Sequence, residues 1–584
     1  MYKTNRRLKL VWLWLLVLFA LGLLMAVPLL AQDDDLPPAT PAAVDPRFGA
    51  IESFWAPQEA SELGVGWERI LFYWNEIQPK DADDWNTLHV LEEWLVEAEA
   101  QNRTVIGLLK NTPAWATDGD PFGGVPRGLY LPVDDPDNLW ANYVRRIVTY
   151  YGPRGVHNWI IWNEPEIEKG VYGHEFEGSV EDYARLLQVA YLVAKEHDPE
   201  VMIHLAGYSY WHDPAFLPEF FEVLTADADA EKHNYYFDAL SLHIYFRVET
   251  VAELVQQVDQ LQNKYGLDKP IWVNETNAAP NLDPWWPVER PLFQVDLDQQ
   301  AWYIVQAHAL GFGAGAESMG VYKLIDILLP EGGESFGILR PDYSQRPAYL
   351  AYRTTIEQLR GFNPPATTQA LDDAFVVTFT WPDKVTRVIW TRRNRAVKLS
   401  VPALAESAVL VDYLGNEQPL IAEEGRYRID LDGARCRDAC DIGGPPIFLV
   451  EEGAMLAEGQ QPRFSSRLEY ATLTPTPEVP LTFTPWPTAT ESSSPAPTVT
   501  HTPAPTETPS ATATLTPSAT PTKTATPTTT TTTTAEPTEM AVPTAAPAPY
   551  PTAANGGPTT WWFWGAALII TLVGSAFYFL RRSS

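Results

Sequence analysis

Between Asp45 and about Arg360, short apolar runs rich in β-branched and aromatic residues alternate with longer stretches whose apolar positions recur every three or four residues. That alternation predicts parallel strands with helices packed outside them. Eight runs qualify as strands: Phe48–Ser53, Glu68–Tyr73, Thr104–Leu109, Asn158–Trp162, Val201–Ala206, Ala239–Tyr245, Ile271–Asn274 and Gly320–Leu324. Leu88, Leu91, Leu95 and Ala98 share one helical face, as do Trp140, Tyr143, Ile147 and Tyr150. Val180, Tyr183, Leu187, Ala190, Tyr191 and Ala194 form a third face, opened by Ser179 and Asp182 at capping-box spacing. Eight strands and their helices in about 300 residues match an α/β fold of the (β/α)8 TIM barrel type, spanning 45–360. A doubly wound open sheet competes, but no glycine-rich phosphate fingerprint follows the first strand.

After Arg360 the period shortens. Phe375–Trp381, Val385–Arg392, Ala396–Val401, Ala408–Tyr413 and Tyr427–Leu431 are short alternating runs separated by turn signals, and the pattern ends near Leu449–Glu451. This predicts a small all-β sandwich domain over 361–455.

The two ends read differently again. Lys3, Arg6, Arg7 and Lys9 precede an apolar run from Leu10 to Ala31, so 1–31 reads as an export signal peptide or an uncleaved N-terminal anchor. Residues 471–560 are almost entirely Thr, Pro, Ala and Ser, a composition that cannot bury a core and predicts a disordered stalk. The apolar stretch 561–580 opens on Trp561, Trp562 and Trp564 and is followed by Arg581 and Arg582. It predicts a transmembrane helix with the arginines inside, which puts the folded head on the extracellular face of the cell membrane. A lipid anchor at Ala553–Gly557 fits less well, because the chain ends in a basic pair after almost no spacer.

Composition narrows the function. With 41 Lys+Arg against 74 Asp+Glu, the 584-residue chain carries a net charge of −33, which excludes a nucleic-acid binder. Its two cysteines, Cys436 and Cys440, cannot build a disulfide scaffold or a multi-cysteine metal site; in an exported chain they predict one local disulfide. No His-Glu-x-x-His, Gly-x-Ser-x-Gly or P-loop motif is present, and the ten histidines show no ligand spacing, so neither a metal nor a cofactor is expected.

Barrel active sites lie at the C-terminal ends of the strands, so polar residues that abruptly end apolar runs are the candidates. Glu164 ends the fourth run in Asn-Trp-Ile-Ile-Trp-Asn-Glu-Pro, and Glu275 ends the seventh in Ile-Trp-Val-Asn-Glu-Thr-Asn. Strands four and seven stand on different sides of an eight-strand ring, so both carboxylates can face one cleft. A protonated and an ionised carboxyl across a cleft are what glycosidic bond cleavage requires.

Here the chain resembles the clan A glycoside hydrolases, retaining (β/α)8 enzymes with an Asn-Glu acid/base pair after strand four and a glutamate nucleophile after strand seven. Trp162-Asn163-Glu164-Pro165 carries the likeness, which spans roughly Phe48 to Arg360. The resemblance implies that Glu164 is the acid/base, Asn163 a ligand of the sugar 2-hydroxyl, and Glu275 the nucleophile. Arg69 resembles the arginine beside the nucleophile, and His243-Ile-Tyr245 the clan's His-x-Tyr, with Tyr245 near the nucleophile and His243 near the sugar. Thr112-Pro113-Ala114-Trp115 looks like the segment whose tryptophan lines the cleft in xylosidase-like and cellulase-like branches. Trp285, Trp286 and Trp211 are candidate sugar-stacking platforms, with core packing or loop anchoring the competing roles. At strand eight, where many members carry tryptophan, this chain has Tyr322, a candidate floor for the catalytic subsite, and Lys323 beside it. The β-domain resembles the accessory sandwich of family 39. The expected partner is therefore a β-linked polysaccharide or oligosaccharide, with a non-catalytic carbohydrate-binding surface protein and an adhesion protein as the alternatives.

Overall fold

The computed structural model describes residues 44–455, apart from 172, 328–332 and 438–439. The readings for 1–31, 471–560 and 561–580 lie outside the described residues. Among the described residues, no helix is long and apolar enough to cross a membrane.

Eight parallel strands form the first sheet: β1 (Asp45–Ala50), β2 (Val65–Tyr73), β3 (Thr104–Lys110), β4 (Asn158–Ile161), β5 (Met202–His204), β6 (Leu240–Tyr245), β7 (Ile271–Asn277) and β8 (Ser318–Val321). Their order is β5, β4, β3, β2, β1, β8, β7, β6. Parallel bridges His204–Ala239 and Tyr208–Leu242 bring the extensions of β5 and β6 together, with Leu205 N donating to Ala239 O at 2.9 Å and Tyr208 N to Ser241 O at 3.0 Å. The sheet thereby curls into a barrel-like ring rather than the open sheet weighed from the sequence.

Inside the ring, Ile51, Trp67, Ile106, Leu108 and Ile160 are buried together. The Trp67 indole fills space that only glycine leaves: a Cβ on Gly49 would stand 2.0 Å, and one on Gly320 2.4 Å, from its ring. This apolar plug closes the lower ring, so polar side chains at the strand ends have nowhere to face but the mouth.

The larger core lies between strands and helices. Helix Val180–His197 opens on the expected capping box: Asp182 N donates to Ser179 Oγ and Ser179 N donates to Asp182 Oδ2 at 2.9 Å. Helix Leu139–Tyr151 buries Trp140, Tyr143 and Ile147. One reading is corrected: the helix expected to include Leu88 begins only at Glu92, and Leu88 is 78% exposed in the preceding loop.

Beyond the ring come β9 (Asn363–Ala370), β10 (Ala374–Thr380), β11 (Lys384–Thr391), β12 (Val397–Pro402), β13 (Ser407–Asp412), β14 (Glu417–Ile421), β15 (Arg426–Leu431) and β16 (Ile447–Glu452). Six form an antiparallel sheet in the order β14, β13, β16, β11, β10, β9, and β12 pairs with β15. The two-residue period divides the faces. Ala374, Val376, Ile389 and Leu449 pack with Leu399, Val401, Tyr427 and Ile429 of the small sheet, while Phe375, Val377, Phe379, Val388 and Trp390 join the barrel's core. Arg392 fixes the junction on Glu249, at 3.0 and 2.7 Å. Cys436 and Cys440 are disulfide-bonded.

Candidate active site

The mouth of the ring gathers Arg69 from β2, Glu164 from the loop after β4, His243 and Tyr245 from β6, Glu275 from β7, and Tyr322 just past β8. A local irregularity in β7 aims the carboxylate. Leu242 pairs with Val273 but His243 with Glu275, so Asn274 is an extra residue in the strand. The same slip recurs against β8, between Val273 and Thr276. Trp272 packs with the ring's interior residues. Strict alternation would therefore turn Asn274 inward and Glu275 outward; the bulge inverts the phase and turns Glu275 to the mouth. The cost is visible in Asn274, whose buried amide has no hydrogen-bond partner among the described residues.

Glu275 is buried and held by side chains. Arg69 Nη1 meets Oε1 as an ion pair, the Tyr245 hydroxyl donates to Oε2, and His243 Nδ1 lies 3.5 Å from Oε2. Burial alone pushes a carboxyl's pKa up, but Arg69, His243 and the Tyr245 hydrogen bond outweigh it and hold Glu275 below the ordinary carboxylate range. Burial and the charge of Glu275 push the Tyr245 phenol well above its usual range, so it stays a donor.

Glu164 is half-buried on a strained turn, with positive φ at Trp162 (72°) and at Glu164 itself (41°). Two anchors hold the turn: Trp162 Nε1 donates to Glu175 O at 3.1 Å, and Glu164 N donates to Gly207 O at 3.1 Å. Glu164 Oε1 is 2.7 Å from His243 Nδ1. Gly207 also seats that imidazole, since a Cβ there would stand 2.0 Å from His243 Nε2. Burial pulls the His243 pKa down, but the charges of Glu275 and Glu164 raise it above the usual histidine range.

Oxygen and nitrogen atoms of Glu164, His243 and Glu275 all lie within 4.8 Å of one another. That donor set fits a cation in outline, but the Arg69 guanidinium already sits on Glu275.

The remaining candidates are dispersed. Asn163 is half-buried beside Glu164 and bridges Gly207 through its backbone. The Tyr322 ring stands 5.9 Å from that of Tyr245, edge to face, and Lys323 Nζ pairs with Glu52 at 3.0 Å. Trp115 is anchored to Gln78 O at 2.7 Å and set edge-on to Trp74. Trp285 lies out on the rim, 71% exposed.

Three charged groups escaped the sequence reading. Lys110, buried at the end of β3, pairs with Glu175 at 2.5 Å. Glu52 holds Lys323. Glu166 is buried with Oε1 accepting from Ser209 N at 2.5 Å and Oε2 without a hydrogen-bond partner among the described residues. Burial, then the charge of Glu164, pushes the Glu166 pKa up to about 8. Its position two residues past Glu164 was the available signal.

Comparison with solved structures finds this architecture in a family 39 glycoside hydrolase from the gut symbiont Bacteroides cellulosilyticus, with 17% identity and a TM-score of 0.53 over 70% of this chain and 81% of that one. A GH30 endoxylanase from Clostridium papyrosolvens (13% identity, TM-score 0.48) and a monomeric β-xylosidase from Caulobacter crescentus (15%, 0.48) each align over 71% of this chain and 97% of theirs. No protein-family model and no curated protein matches the chain. The first likeness shows a fold shared with that family 39 glycoside hydrolase.

Proposed function

We propose that this chain is a retaining glycoside hydrolase that cleaves β-linked poly- or oligosaccharides by double displacement, with Glu275 as nucleophile and Glu164 as acid and base. One observation carries the reading: one oxygen of each carboxylate lies within 4.8 Å of the other, and His243 Nδ1 stands 2.7 Å from Glu164 Oε1 and 3.5 Å from Glu275 Oε2. Retaining pairs stand about 5–5.5 Å apart, whereas inverting pairs leave roughly 6.5–9.5 Å for a water between them.

In this reading a Glu275 oxygen attacks the anomeric carbon as the bond to the leaving oxygen breaks, and Glu164 delivers its proton to that oxygen. Water then attacks the glycosyl-enzyme, Glu164 takes its proton, and Glu275 departs as carboxylate. Arg69 and Tyr245 keep Glu275 anionic for the first step and stabilise it as the leaving group of the second. In this reading the proton that the acid uses is the one His243 Nδ1 donates to Glu164 Oε1 across 2.7 Å. Substrate that expels water favours the neutral pair over the ionic one, moving that proton onto Glu164. Asn163 beside Glu164 and Tyr322 beside Tyr245 are the residues we assign to the bound sugar.

The test is turnover by the full chain on β-linked xylans, glucans, mannans and aryl β-glycosides, with Glu275→Gln and Glu164→Gln alongside. Hydrolysis with a β-configured first product, lost by roughly a thousandfold or more in Glu275→Gln, is expected. An α-configured first product, or a Glu275→Gln enzyme at parental rate, overturns the assignment. Glycan binding without turnover supports the carbohydrate-binding alternative instead.

We also propose that the chain is exported and tethered by 561–580, on the strength of the sequence pattern alone. Activity that sediments with membranes and is released by protease added to intact cells is the expected result. Activity that stays inside the cell overturns it.

A further inference from the structure

Trp55, Trp211, Trp285 and Tyr343 are 40%, 45%, 71% and 45% exposed, and each lies in a segment that follows the C-terminal end of a barrel strand. Single exposed aromatics are ordinary. Three of these, however, are linked into one strip. Arg340 lies over the Trp285 ring, 5.4 Å from its centroid. Tyr343 shares a turn with Arg340, its N–H donating to Arg340 O at 2.9 Å. The Tyr343 hydroxyl donates to Trp55 O at 3.1 Å. Trp55 in turn leans on Trp94 and Phe54, with ring centroids 5.4 and 5.1 Å away.

The strip is held rigidly. Fully buried Asp283 accepts from Trp285 N at 3.0 Å through Oδ1, and from Arg340 Nε at 3.2 Å and Arg346 Nε at 3.0 Å through Oδ2. Arg346 also pairs with buried Asp326 at 3.0 Å. Burying such a network is expensive; what it fixes here is Trp285 after β7 and the Arg340–Tyr343 turn after β8. The strip is also continuous with the catalytic mouth. Glu52, three residues before Trp55, pairs with Lys323, whose neighbour Tyr322 packs on Tyr245, the residue that donates to Glu275.

We propose that Trp55, Tyr343 and Trp285 form a platform for the glycone side of an extended, neutral pyranose chain, making the enzyme endo-acting. This rests on the glycosidase reading above. Glu164 passes its proton to the leaving oxygen, so the departing part of the chain lies toward β4. The part retained on Glu275 extends the other way, over β7, β8 and β1, where the strip lies. Flat aromatic faces match the C–H faces of pyranoses whose substituents are equatorial, as in β-1,4-linked xylan and glucan. The charges along the strip are already paired, Arg340 with Asp283 and Lys323 with Glu52, which leaves no unpaired cation among them for a uronate and favours a neutral chain.

The experiment uses the full chain on xylo- and cello-oligosaccharides of two to six units and on the matching aryl β-monoglycosides. Parent, Trp55→Ala, Trp285→Ala, the double variant and Trp285→Phe are compared, with thermal unfolding as the check on folding. The quantity read is the ratio of kcat/KM on the six-unit chain to that on the aryl glycoside. The ratio should fall about three- to tenfold per lost tryptophan and be largely kept by phenylalanine. Turnover with an unchanged ratio overturns the platform and leaves the glycosidase reading standing. Six-unit chains that bind to the parent without turnover, and bind more weakly to the alanine variants, support the platform and overturn the glycosidase reading. Neither turnover nor binding of any of these chains overturns the platform.

Discussion

Arg69–Glu275 in the barrel and Arg387–Glu451 in the sandwich are the same two residue types, both buried and in direct ionic contact. Their surroundings differ. Glu451 Oε1 accepts from the backbone of Leu404 at 2.6 Å and Ala405 at 3.1 Å, and Arg387 donates to Pro402 O at 3.2 Å. The pair therefore clasps the Pro402–Ala405 turn to the six-stranded sheet, with Glu451 Oε1 taken up by main chain and Oε2 by Arg387. Among the described residues Glu275 is met by side chains, from β2 and β6, with a second carboxylate within reach across the mouth. At Glu275 the buried arginine helps hold the carboxylate's proton affinity down. What distinguishes the barrel pair is an anion presented to the mouth of the ring with a second carboxyl group opposite it.

Two substitutions break the comparison most directly. Glu275→Gln should cost turnover by roughly a thousandfold or more, and some stability as well, since it leaves buried Arg69 facing a neutral amide; kcat and denaturant midpoints read the two effects. Glu451→Gln should cost stability but not turnover. It takes away the carboxylate charge that faces buried Arg387, a loss of about 3–5 kcal/mol of stability, with kcat per folded molecule unchanged. Loss of catalysis in folded Glu451→Gln would mean that the sandwich pair reaches the active site and that the contrast is false.

Next in size is Arg69→Met. Without the guanidinium, burial dominates at Glu275 and its proton affinity rises, so the ionised nucleophile is lost at a higher pH. The acid limb of kcat/KM should move upward by about 1–3 pH units. An unmoved limb would show that Glu275 is not the group whose ionisation limits the rate on that side.

The difference between the two pairs was only partly legible from the chain. Glu164 and Glu275 could be read because each ends an apolar run and the ring forces strand-end polar groups into one mouth, whereas Arg69, His243 and Tyr245 were reached through the resemblance to clan A hydrolases. The bulge at Asn274 was not legible, because a one-residue slip against two neighbours depends on pairing rather than on residue type. Edge strands β9 and β14 escaped for a related reason. Asn363–Ala370 opens on Asn-Pro-Pro and Glu417–Ile421 is largely exposed, so neither shows alternation. Glu451 gave no hint of its role, since its partners are backbone groups from a loop nearly fifty residues earlier. Trp115 and Trp285 carried the right side chain for sugar stacking, but their distance from the carboxylates is set by loop paths that no short motif encodes.

Glu166 sharpens the comparison, because it is a buried carboxyl with no arginine at all. Burial and the neighbouring Glu164 charge raise its pKa from the ordinary 4.5 to about 8. The folded chain thus keeps a proton there that the unfolded chain releases near pH 4.5. In that interval the native state binds more protons than the unfolded state, so stability falls as pH rises from about 4.5 to about 8 and levels off above. Glu166→Gln, which cannot ionise, should remove this contribution: parent and variant differ least near pH 4, and the variant gains on the parent toward pH 9. The gain is on the order of a few kcal/mol or less. Denaturant unfolding of both proteins at pH 4, 6, 8 and 9 reads it. A constant difference across that range would mean that Glu166 is ionised in the fold and has found the counter-charge that Glu275 finds in Arg69.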